Sequence, residues 1–320
     1  MSRTIGVLTS GGDAPGMNAA IRSVVRSALA RGYKVIGIRR GYQGLIEGDM
    51  FEMTARDVSD IMQRGGTVLY TARSEMFNTT EGQEIAKKNC DAAGIDSLVV
   101  IGGDGSYRGA NDLHKYGVKC VGIPGTIDND ISCTDYTIGY DTAMNTALEM
   151  VDKIKDTEMS HNRCSVIEVM GRHAGHIAVN VGAAVGAVEV ITTERPYDID
   201  ATCKKMLNLK ANGKMHFVII VAEGVGHSEE IAKEIEEKTG ITARATILGH
   251  VQRGGSPTCY DRVIATKMGY YAVELLANGG ENRVVAVRNG RLVDYDIVEA
   301  LNMKKTYDER LHTLLTELAF

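Results

Sequence analysis

Proline, flexible linker segments and long apolar stretches are all scarce in this chain. Four prolines are spread over 320 residues, and no Ser/Gly-rich or low-complexity segment occurs. A flexible linker is therefore excluded, and two lobes, if the chain has two, must be joined closely. No stretch reaches the roughly 18 apolar residues of a membrane-spanning helix. The apolar run near the start is also too short for a secretory signal, so we expect an unexported protein outside the membrane.

Paired cysteines and basic runs are absent as well. The six cysteines are scattered without a C-x-x-C pair, which argues against a zinc site or a redox couple and favours a cytoplasmic location. The formal charge is -5, and no run of roughly five basic residues occurs, which excludes a general attraction to nucleic acid or to an anionic membrane. Phosphate chemistry would therefore rely on individually placed arginines.

What the chain does contain is an alternation of strand-like runs and helical patterns. Its apolar content of 44% and its length suit one large domain or two. Strands are predicted at residues 4–8, 34–38, 98–101 and 118–123, with helices at 17–31, 107–116 and 141–156. A second set has strands at 165–169 and 217–222 and helices at 175–186, 199–209 and 229–239. This order favours a parallel sheet with crossover helices, and the second set repeats the same organisation.

Glycine-rich loops follow two of these strands. Gly11 and Gly12 stand before a helix, where bare amides and a helix amino end suit phosphate oxygens, although a structural turn explains such a loop as readily. The second loop, Gly102-Gly103-Asp104-Gly105-Ser106, follows a fully apolar run. Its aspartate suits a magnesium ion while a triphosphate lies against the glycines. The alternative is a tight turn with Asp and Gly in left-handed conformations.

Two aspartates follow the next predicted strand, in Thr126-Ile127-Asp128-Asn129-Asp130. On an extended backbone both would point to one side. One would then accept a proton from a sugar hydroxyl while the other orients it or a metal-bound water. Phosphoryl transfer asks mainly for such positioning and for charge neutralisation, but an Asx-rich turn explains the segment equally well.

Arginines recur in loops that contain glycine. A guanidinium fork suits phosphate, whereas an ordinary surface arginine needs no glycine neighbour. Each one alone is more simply a solvated residue, but together they favour a site for phosphorylated ligands. The five are Arg73, Arg163, Arg172, Arg244 and Arg253.

The motifs G-G-D-G-S, P-G-T-I-D-N-D, M-G-R and G-H-x-Q-R-G-G-S-P, in this order, resemble those of the bacterial ATP-dependent 6-phosphofructokinases. The resemblance covers nearly the whole chain. It implies a glycolytic kinase that uses Mg²⁺ to transfer the γ-phosphoryl group of ATP to the 1-hydroxyl of fructose 6-phosphate. It also implies an α/β fold of two Rossmann-like three-layer lobes with mainly parallel sheets and the active site in the cleft between them. The larger, ATP-binding lobe would comprise residues 1–140 and 252–305, and the smaller, fructose 6-phosphate-binding lobe residues 141–251 and 306–320.

The same resemblance implies roles for individual residues. Asp128 would take the hydroxyl proton, and Arg73 and Arg172 would lie near the charge that develops. Asp104 would contact the metal. The implied ATP residues are Gly12, Arg73, Ser74, Gly103, Asp104, Gly105 and Ser106. The implied sugar-phosphate residues are Thr126, Ile127, Asp128, Arg163, Met170, Gly171, Arg172, Glu223, Arg244, His250, Val251, Gln252 and Arg253. In the family, the residues that match Arg163 and Arg244 reach across from a neighbouring subunit of a homotetramer.

Two glycines bear on the phosphoryl donor. Pyrophosphate-using relatives typically carry Asp where Gly105 stands and Lys where Gly125 stands, and both side chains would intrude on the space that ATP needs. The glycines favour ATP, with pyrophosphate as the nearest alternative. A lipid or dinucleotide kinase would lack the later M-G-R and Q-R-G-G segments. A non-catalytic sugar-phosphate sensor should have lost Asp104 or Asp128, and a nicotinamide oxidoreductase should show G-x-G-x-x-G after its first strand.

Regulation follows the family pattern only in part. Its effector site binds ADP as activator or phosphoenolpyruvate as inhibitor, and Arg22, Arg26 and Lys214 match basic positions of that site. Lys155 and Ala55 replace arginines, Val188 replaces a glutamate and Asn212 replaces a basic residue. A lysine loses bidentate geometry, and Val188 removes a carboxylate that would hold effector-bound magnesium. The sequence therefore predicts a weakened or altered effector response.

Overall fold

The computed structural model of the chain describes residues 3–319, so the outermost predicted boundaries, at residues 1 and 320, lie outside it. The chain divides into two compact units. The first comprises the described residues up to Ile127, Ile131–Thr142 and Arg253–Lys305. The second comprises Asp128–Asp130, Ala143–Gln252 and the described residues from Thr306 onward. Asp128–Asp130, which the sequence prediction assigned to the larger lobe, thus groups with the second unit.

The first unit is built on a mainly parallel sheet. Among the described residues this sheet has seven strands in the order β11-β10-β5-β4-β1-β2-β3, with the antiparallel pairs at its two edges. The strands are β1 (Thr4–Thr9), β2 (Lys34–Ile38), β3 (Met50–Glu52), β4 (Ser97–Gly102), β5 (Lys119–Pro124), β10 (Arg283–Arg288) and β11 (Arg291–Asp296). The helices are α1 (Met17–Ala30), α2 (Gly41–Glu47), α3 (Thr80–Ala92), α4 (Asp104–Lys115), α9 (Cys259–Ala277) and α10 (Ile297–Asn302), with a 3₁₀ turn, η1 (Met76–Asn78).

The second unit has a smaller sheet in which all pairings are parallel. Its order is β7-β8-β6-β9. The strands are β6 (Cys164–Val169), β7 (Glu189–Ile191), β8 (Phe217–Ala222) and β9 (Ala243–Ile247), and a 3₁₀ turn, η2 (Gly249–Arg253), follows β9. The helices are α6 (His176–Val185), α7 (Ile199–Ala211), α8 (Ser228–Thr239) and α11 (Glu309–Leu318). Helix α5 (Tyr140–His161) begins in the first unit and continues in the second.

The predicted α/β class with mainly parallel sheets is confirmed, and its physical basis is burial on both faces. Every residue of β1, β4 and β8 is buried, which requires helices above and below the sheet. Strands β3 and β7 are only three residues long, and no sequence pattern predicted them. Among residues 3–319, no helix combines the length and apolar character needed to cross a membrane.

Candidate functional site

The glycine-rich loops of the first unit lie together at one edge of its sheet. Strands β1, β4 and β5 are parallel neighbours, with Thr9 paired to Ile101 and Gly102 paired to Pro124. The loops that follow them therefore emerge at the same carboxyl edge. The strand order reverses direction between β1 and β4, and ligands of open α/β sheets bind outside such a reversal.

The loop after β1 is packed closely against its neighbours. The Ser10 N–H donates to Ile101 O at 3.0 Å, and Gly11 has a φ of 86°, which favours glycine. A Cβ atom at Gly12 would lie 2.5 Å from Nη1 of Arg253. The Arg253 guanidinium therefore occupies the space that any side chain at position 12 would need.

The segment after β4 is the start of a helix and not the tight turn that the sequence left open. Helix α4 begins at Asp104, because the N–H groups of Ser106 and Tyr107 donate to Gly103 O at 2.9 and 3.2 Å. A Cβ atom at Gly102 would lie 2.4 Å from Ser10 O, whereas one at Gly105 would meet nothing within 4 Å. The open space at this helix amino end, beside the partly exposed Asp104, suits a metal-bound phosphate group.

The segment after β5 does not have the extended backbone that the aspartate spacing suggested. Asn129 adopts a left-handed conformation with φ 51°, so Asp128 and Asp130 do not lie on one side of a strand. Asp128 is 5% exposed, whereas the Asp130 side chain is 27% exposed and lies 4.0 Å from the guanidinium of Arg172. The two carboxylates therefore occupy different environments.

The second unit gathers polar residues at the carboxyl ends of β6, β8 and β9. Arg172 follows β6, Glu223 follows β8, and η2 follows β9. The Arg172 N–H donates to Glu223 Oε1 at 2.5 Å, and Arg172 itself has φ 59°. A positive φ at a residue other than glycine is uncommon and is often found at functional sites.

Gln252 fixes the turn that carries Arg172. Its Oε1 accepts a hydrogen bond from the Met170 N–H at 2.8 Å, and its side chain is fully buried. Gly171 has φ 148°. The neighbouring His250 and Val251 are exposed, so η2 buries one side chain for support and presents two to solvent. Ile127, also predicted to contact the sugar, is fully buried, while Thr126 is partly exposed.

Arg163 and Arg244 lie at the opposite end of this sheet. Arg163 directly precedes β6, and Arg244 pairs with Ser165 near the beginning of the strand. Met170 follows the other end. Since a strand rises about 3.3 Å per residue, roughly 20 Å separate the two groups. Within one chain, Arg163 and Arg244 therefore do not lie beside Met170 and Arg172.

Arg73 and Ser74 lie on the irregular segment between β3 and η1. Arg73 is exposed, and Ser74 Oγ accepts a hydrogen bond from the Phe77 N–H at 3.3 Å. The guanidinium is thus presented on a segment whose end is tied to the following turn.

The four predicted effector residues occur as two pairs. Arg22 and Arg26 lie one turn apart on α1 and line a cavity of about 410 Å³, together with Lys267 and Tyr270 of α9. Lys155 and Lys214 belong to the second unit. Burial and the charges of Lys205 and Lys155 lower the pKa of Lys214. Lys205 therefore belongs to this basic cluster, and no motif in the sequence singled it out.

Parallel sheets whose carboxyl edges carry glycine loops, a helix amino end, carboxylates and arginines define an α/β enzyme that acts on phosphorylated ligands. Residues 4–276 match the family described as phosphofructokinase, and the chain belongs to that family. This confirms the resemblance inferred from the motifs.

Individual relatives agree with this assignment over the full chain. The chain is 57% identical over 317 residues to the ATP-dependent 6-phosphofructokinase of Clostridium botulinum, covering 99% of both chains. It is 56% identical over 318 residues to the enzyme of the same name from Clostridium tetani, covering 99% of this chain and 100% of the relative. The structure of phosphofructokinase from Saccharomyces cerevisiae superposes with a TM-score of 0.90 at 34% identity, over 99% of this chain and 48% of the yeast chain. This chain thus spans about half of the yeast chain's length.

Proposed function

We propose that this chain is an ATP-dependent 6-phosphofructokinase, which converts fructose 6-phosphate and ATP into fructose 1,6-bisphosphate and ADP. The observation that carries the proposal is the match over 99% of the chain to enzymes of that printed name, in a sequence that retains both Asp104 and Asp128. This reaction is the phosphorylation of a sugar phosphate in glycolysis. We further propose a cytoplasmic location.

The first unit binds the nucleotide in this proposal. Gly12, Gly103, Gly105 and Ser106 line the surface that receives the phosphates, and Arg73 and Ser74 approach them from the irregular segment. The open space beside Gly105 and the helix amino end at Asp104 support this arrangement. Asp104 would hold Mg²⁺, which when bound neutralises charge on the phosphate oxygens.

Asp128 is the proposed base. Its carboxylate accepts the proton of the 1-hydroxyl while that oxygen forms a bond to the γ-phosphorus. The bond from the γ-phosphorus to the bridging oxygen of ADP breaks at the same time. Arg73 and Arg172 stabilise the charge that spreads over the transferring oxygens. The burial of Asp128, against the exposure of Asp130, supports the choice between the two carboxylates.

The second unit holds the sugar phosphate. Arg172 and Glu223, linked through the Arg172 amide, bind it together with Met170, Gly171 and η2. Thr126, Ile127 and Arg253 are the other residues proposed to bind it. We propose that Arg163 and Arg244 serve the site of a neighbouring subunit in a homotetramer. Their position at the amino end of the second sheet supports this, because Arg172 of the same chain lies at the opposite end of that sheet.

ATP is favoured over pyrophosphate as the phosphoryl donor. A Cβ atom at Gly125 would lie 3.1 Å from side-chain carbons of both Ile101 and Met17, so the lysine typical of pyrophosphate users would be cramped there. The space at Gly105 is open, so glycine at this position is not imposed by packing.

Effector control is proposed to be altered. Lys155 donates to Val185 O at 2.9 Å and Lys205 to Val188 O at 2.9 Å, so two lysines of the cluster are already engaged with backbone. A fructose 6-phosphate saturation series with ADP or phosphoenolpyruvate tests the proposal. Ordinary activation by ADP and inhibition by phosphoenolpyruvate would contradict it.

The proposed reaction is tested by assaying fructose 1,6-bisphosphate formation with Mg²⁺ and either ATP or pyrophosphate. Asp128→Asn should lower kcat by roughly a hundredfold to ten-thousandfold, the range of general-base catalysis. Asp130→Asn is the matched control and should lose much less.

Each alternative predicts a different result. Activity with pyrophosphate alone would reverse the choice of donor. No activity with either donor, in a folded protein that still binds fructose 6-phosphate, would support the sugar-phosphate sensor. An Asp130→Asn variant as inactive as Asp128→Asn would remove the reason for choosing Asp128.

A further inference from the structure

The segment that presents Arg73 has no regular structure. Residues 53–75, between β3 and η1, form only turns and bends. Irregular segments of this length are uncommon inside compact domains, and they are often functional. If Arg73 is to act at a fixed position, side-chain contacts must hold this segment in place, because no helix or strand does so.

Asn18 holds the middle of the segment. It lies on α1 and is 1% exposed. Its Nδ2 donates to Arg64 O at 3.0 Å and to Gly65 O at 3.4 Å, and its Oδ1 accepts from the Val68 N–H at 2.8 Å. Both ends of one buried amide are therefore used on a turn about fifty residues away along the chain. Because the Asn18 amide is buried, the loss of one hydrogen bond leaves a donor or acceptor without a partner and without water. The free-energy cost of such a loss exceeds the net contribution of the bond.

Two threonines connect the far end of the same segment to the loop after β1. Thr9 Oγ1 donates to Tyr70 O at 2.8 Å, and Thr71 Oγ1 donates to Gly11 O at 2.6 Å. The segment is thus attached directly to the Gly11-Gly12 loop, two residues before Arg73.

Further contacts hold the middle of the segment from another side. A Cβ atom at Gly65 would lie 2.4 Å from Gly255 O, and Ser256 Oγ donates to Gln63 O at 2.8 Å. The backbone of the segment therefore lies against the loop that follows Arg253. Residues 63–71 are held on both sides by groups next to proposed ligand residues.

We propose that Asn18 is a positioning residue for the nucleotide half of the reaction. Through residues 64–68 it sets the path of the segment that brings Arg73 to the ATP phosphates, and it touches no ligand itself. Because an arginine that meets a phosphate must be placed within a fraction of an ångström, a small shift of its support lowers activity strongly. This inference rests on the proposed function, since it takes Arg73 to be an ATP residue.

Asn18→Asp is the direct test. The carboxylate still accepts from the Val68 N–H, but its other oxygen faces the carbonyl oxygens of Arg64 and Gly65 and repels them. We expect the KM for ATP to rise about tenfold while the KM for fructose 6-phosphate changes less than about twofold. We also expect faster amide hydrogen exchange in residues 64–72.

Asn89 provides a matched control within the same unit. Its Nδ2 donates to two consecutive carbonyl oxygens, those of Leu45 at 2.9 Å and Ile46 at 2.8 Å, and both acceptors lie on α2, outside residues 63–71. Asn89→Asp applies the same chemical change and should destabilise the protein without a selective effect on ATP. Thr71→Val is the second variant, in case Asn18→Asp fails to fold, and it should raise the KM for ATP in the same direction by a smaller factor.

The proposal is overturned if Asn18→Asp and Thr71→Val leave the KM for ATP unchanged, or if they raise both KM values alike. It is also overturned if Asn89→Asp reproduces their effect on ATP. Failure of the proposed function gives a different result, namely a parent protein without ATP-dependent activity. Hydrogen exchange still decides the positioning role in that case, because unchanged exchange of residues 64–72 in Asn18→Asp would refute it.

Discussion

At the scale of single residues, Asp261 is an ionisable group buried inside the first unit. It is fully buried on α9. Its Oδ1 accepts from the Gly139 N–H at 2.9 Å, and its Oδ2 accepts from the N–H and hydroxyl of Thr142 at 2.8 and 2.5 Å. Burial raises the pKa of this carboxyl from 3.8 to about 6, even though these hydrogen bonds oppose the rise. The neighbouring Asp141 adds to it.

This pKa predicts a pH effect on stability. Between pH 3.8 and about 6 the folded protein keeps the Asp261 proton and the unfolded chain releases it. This group's contribution is therefore fully present below pH 3.8 and is lost as the pH rises through about 6. The shift corresponds to about 3 kcal/mol.

Asp261→Asn removes this titration. The free energy of unfolding of the variant, relative to that of the parent, should therefore increase by about 3 kcal/mol between pH 4 and pH 6.5. Urea denaturation at each pH measures this difference. Asp198→Asn is the control, because Asp198 caps α7 in an exposed position and should show no such gain. Parallel pH profiles of parent and Asp261→Asn would contradict the prediction.

At the scale of elements, a negative side chain at the amino end of α4 should have opposite effects on stability and on nucleotide binding. Asp104 and Gly105 are its first two residues, and space beside Gly105 is open. A negative side chain in the first turn of a helix is favourable to the fold. The same charge would oppose phosphate binding at this helix end.

Gly105→Asp should therefore raise the KM for ATP at least about tenfold, while the midpoint of thermal unfolding stays the same or rises. Gly105→Ala is the control, because it adds a Cβ atom without charge and should have a much smaller effect on KM. The measurement is a pair of ATP saturation curves beside thermal denaturation. A variant with parent-like affinity for ATP would show that the nucleotide phosphates do not approach this helix end.

At the scale of the whole molecule, the proposed sugar-phosphate residues occupy both ends of one sheet. Arg172 and Glu223 lie at the carboxyl end of the second sheet, and Arg163 and Arg244 lie at the amino end. In the proposed function, a complete site therefore needs two copies of the chain. Oligomerisation and catalysis should then be inseparable.

Mixing two inactive variants tests this requirement. Arg163→Ala should lower activity on the order of a hundredfold, the cost of removing a charged partner, and Asp128→Asn removes the base. In a mixed oligomer, an Asp128→Asn subunit lends its Arg163 to a neighbour that keeps Asp128, so the mixture should regain activity far above either variant alone. A mixture no more active than its components would mean that each site is built within one subunit.

Local patterns were sufficient to predict six of the strands, several helices and the loops at strand ends, but not β9, β10 and β11. Apolar runs such as residues 98–101 correspond to fully buried strands, and glycine next to aspartate marked the turns between strand and helix. Position by position, the prediction was less accurate. Asn129 breaks the extended backbone expected around the aspartates, because its left-handed conformation depends on the tertiary setting of the turn. The first turn of α4 was taken as part of a loop, because glycine, which Gly105 places in that turn, disfavours a helix.

The class of fold, the family and the candidate ligand loops could all be inferred from the amino-acid sequence, because strand and helix periodicity and glycine placement are local properties of the chain. The pairing of groups that are distant in sequence became visible only in the folded chain. Asn18 joins residues 64–68, Arg253 rests on Gly12, and Asp261 holds the start of α5. These partners are separated by fifty to more than two hundred residues, and no local pattern specifies them. They result from the packing of whole elements, which brings buried polar groups within reach of one another once water has been excluded.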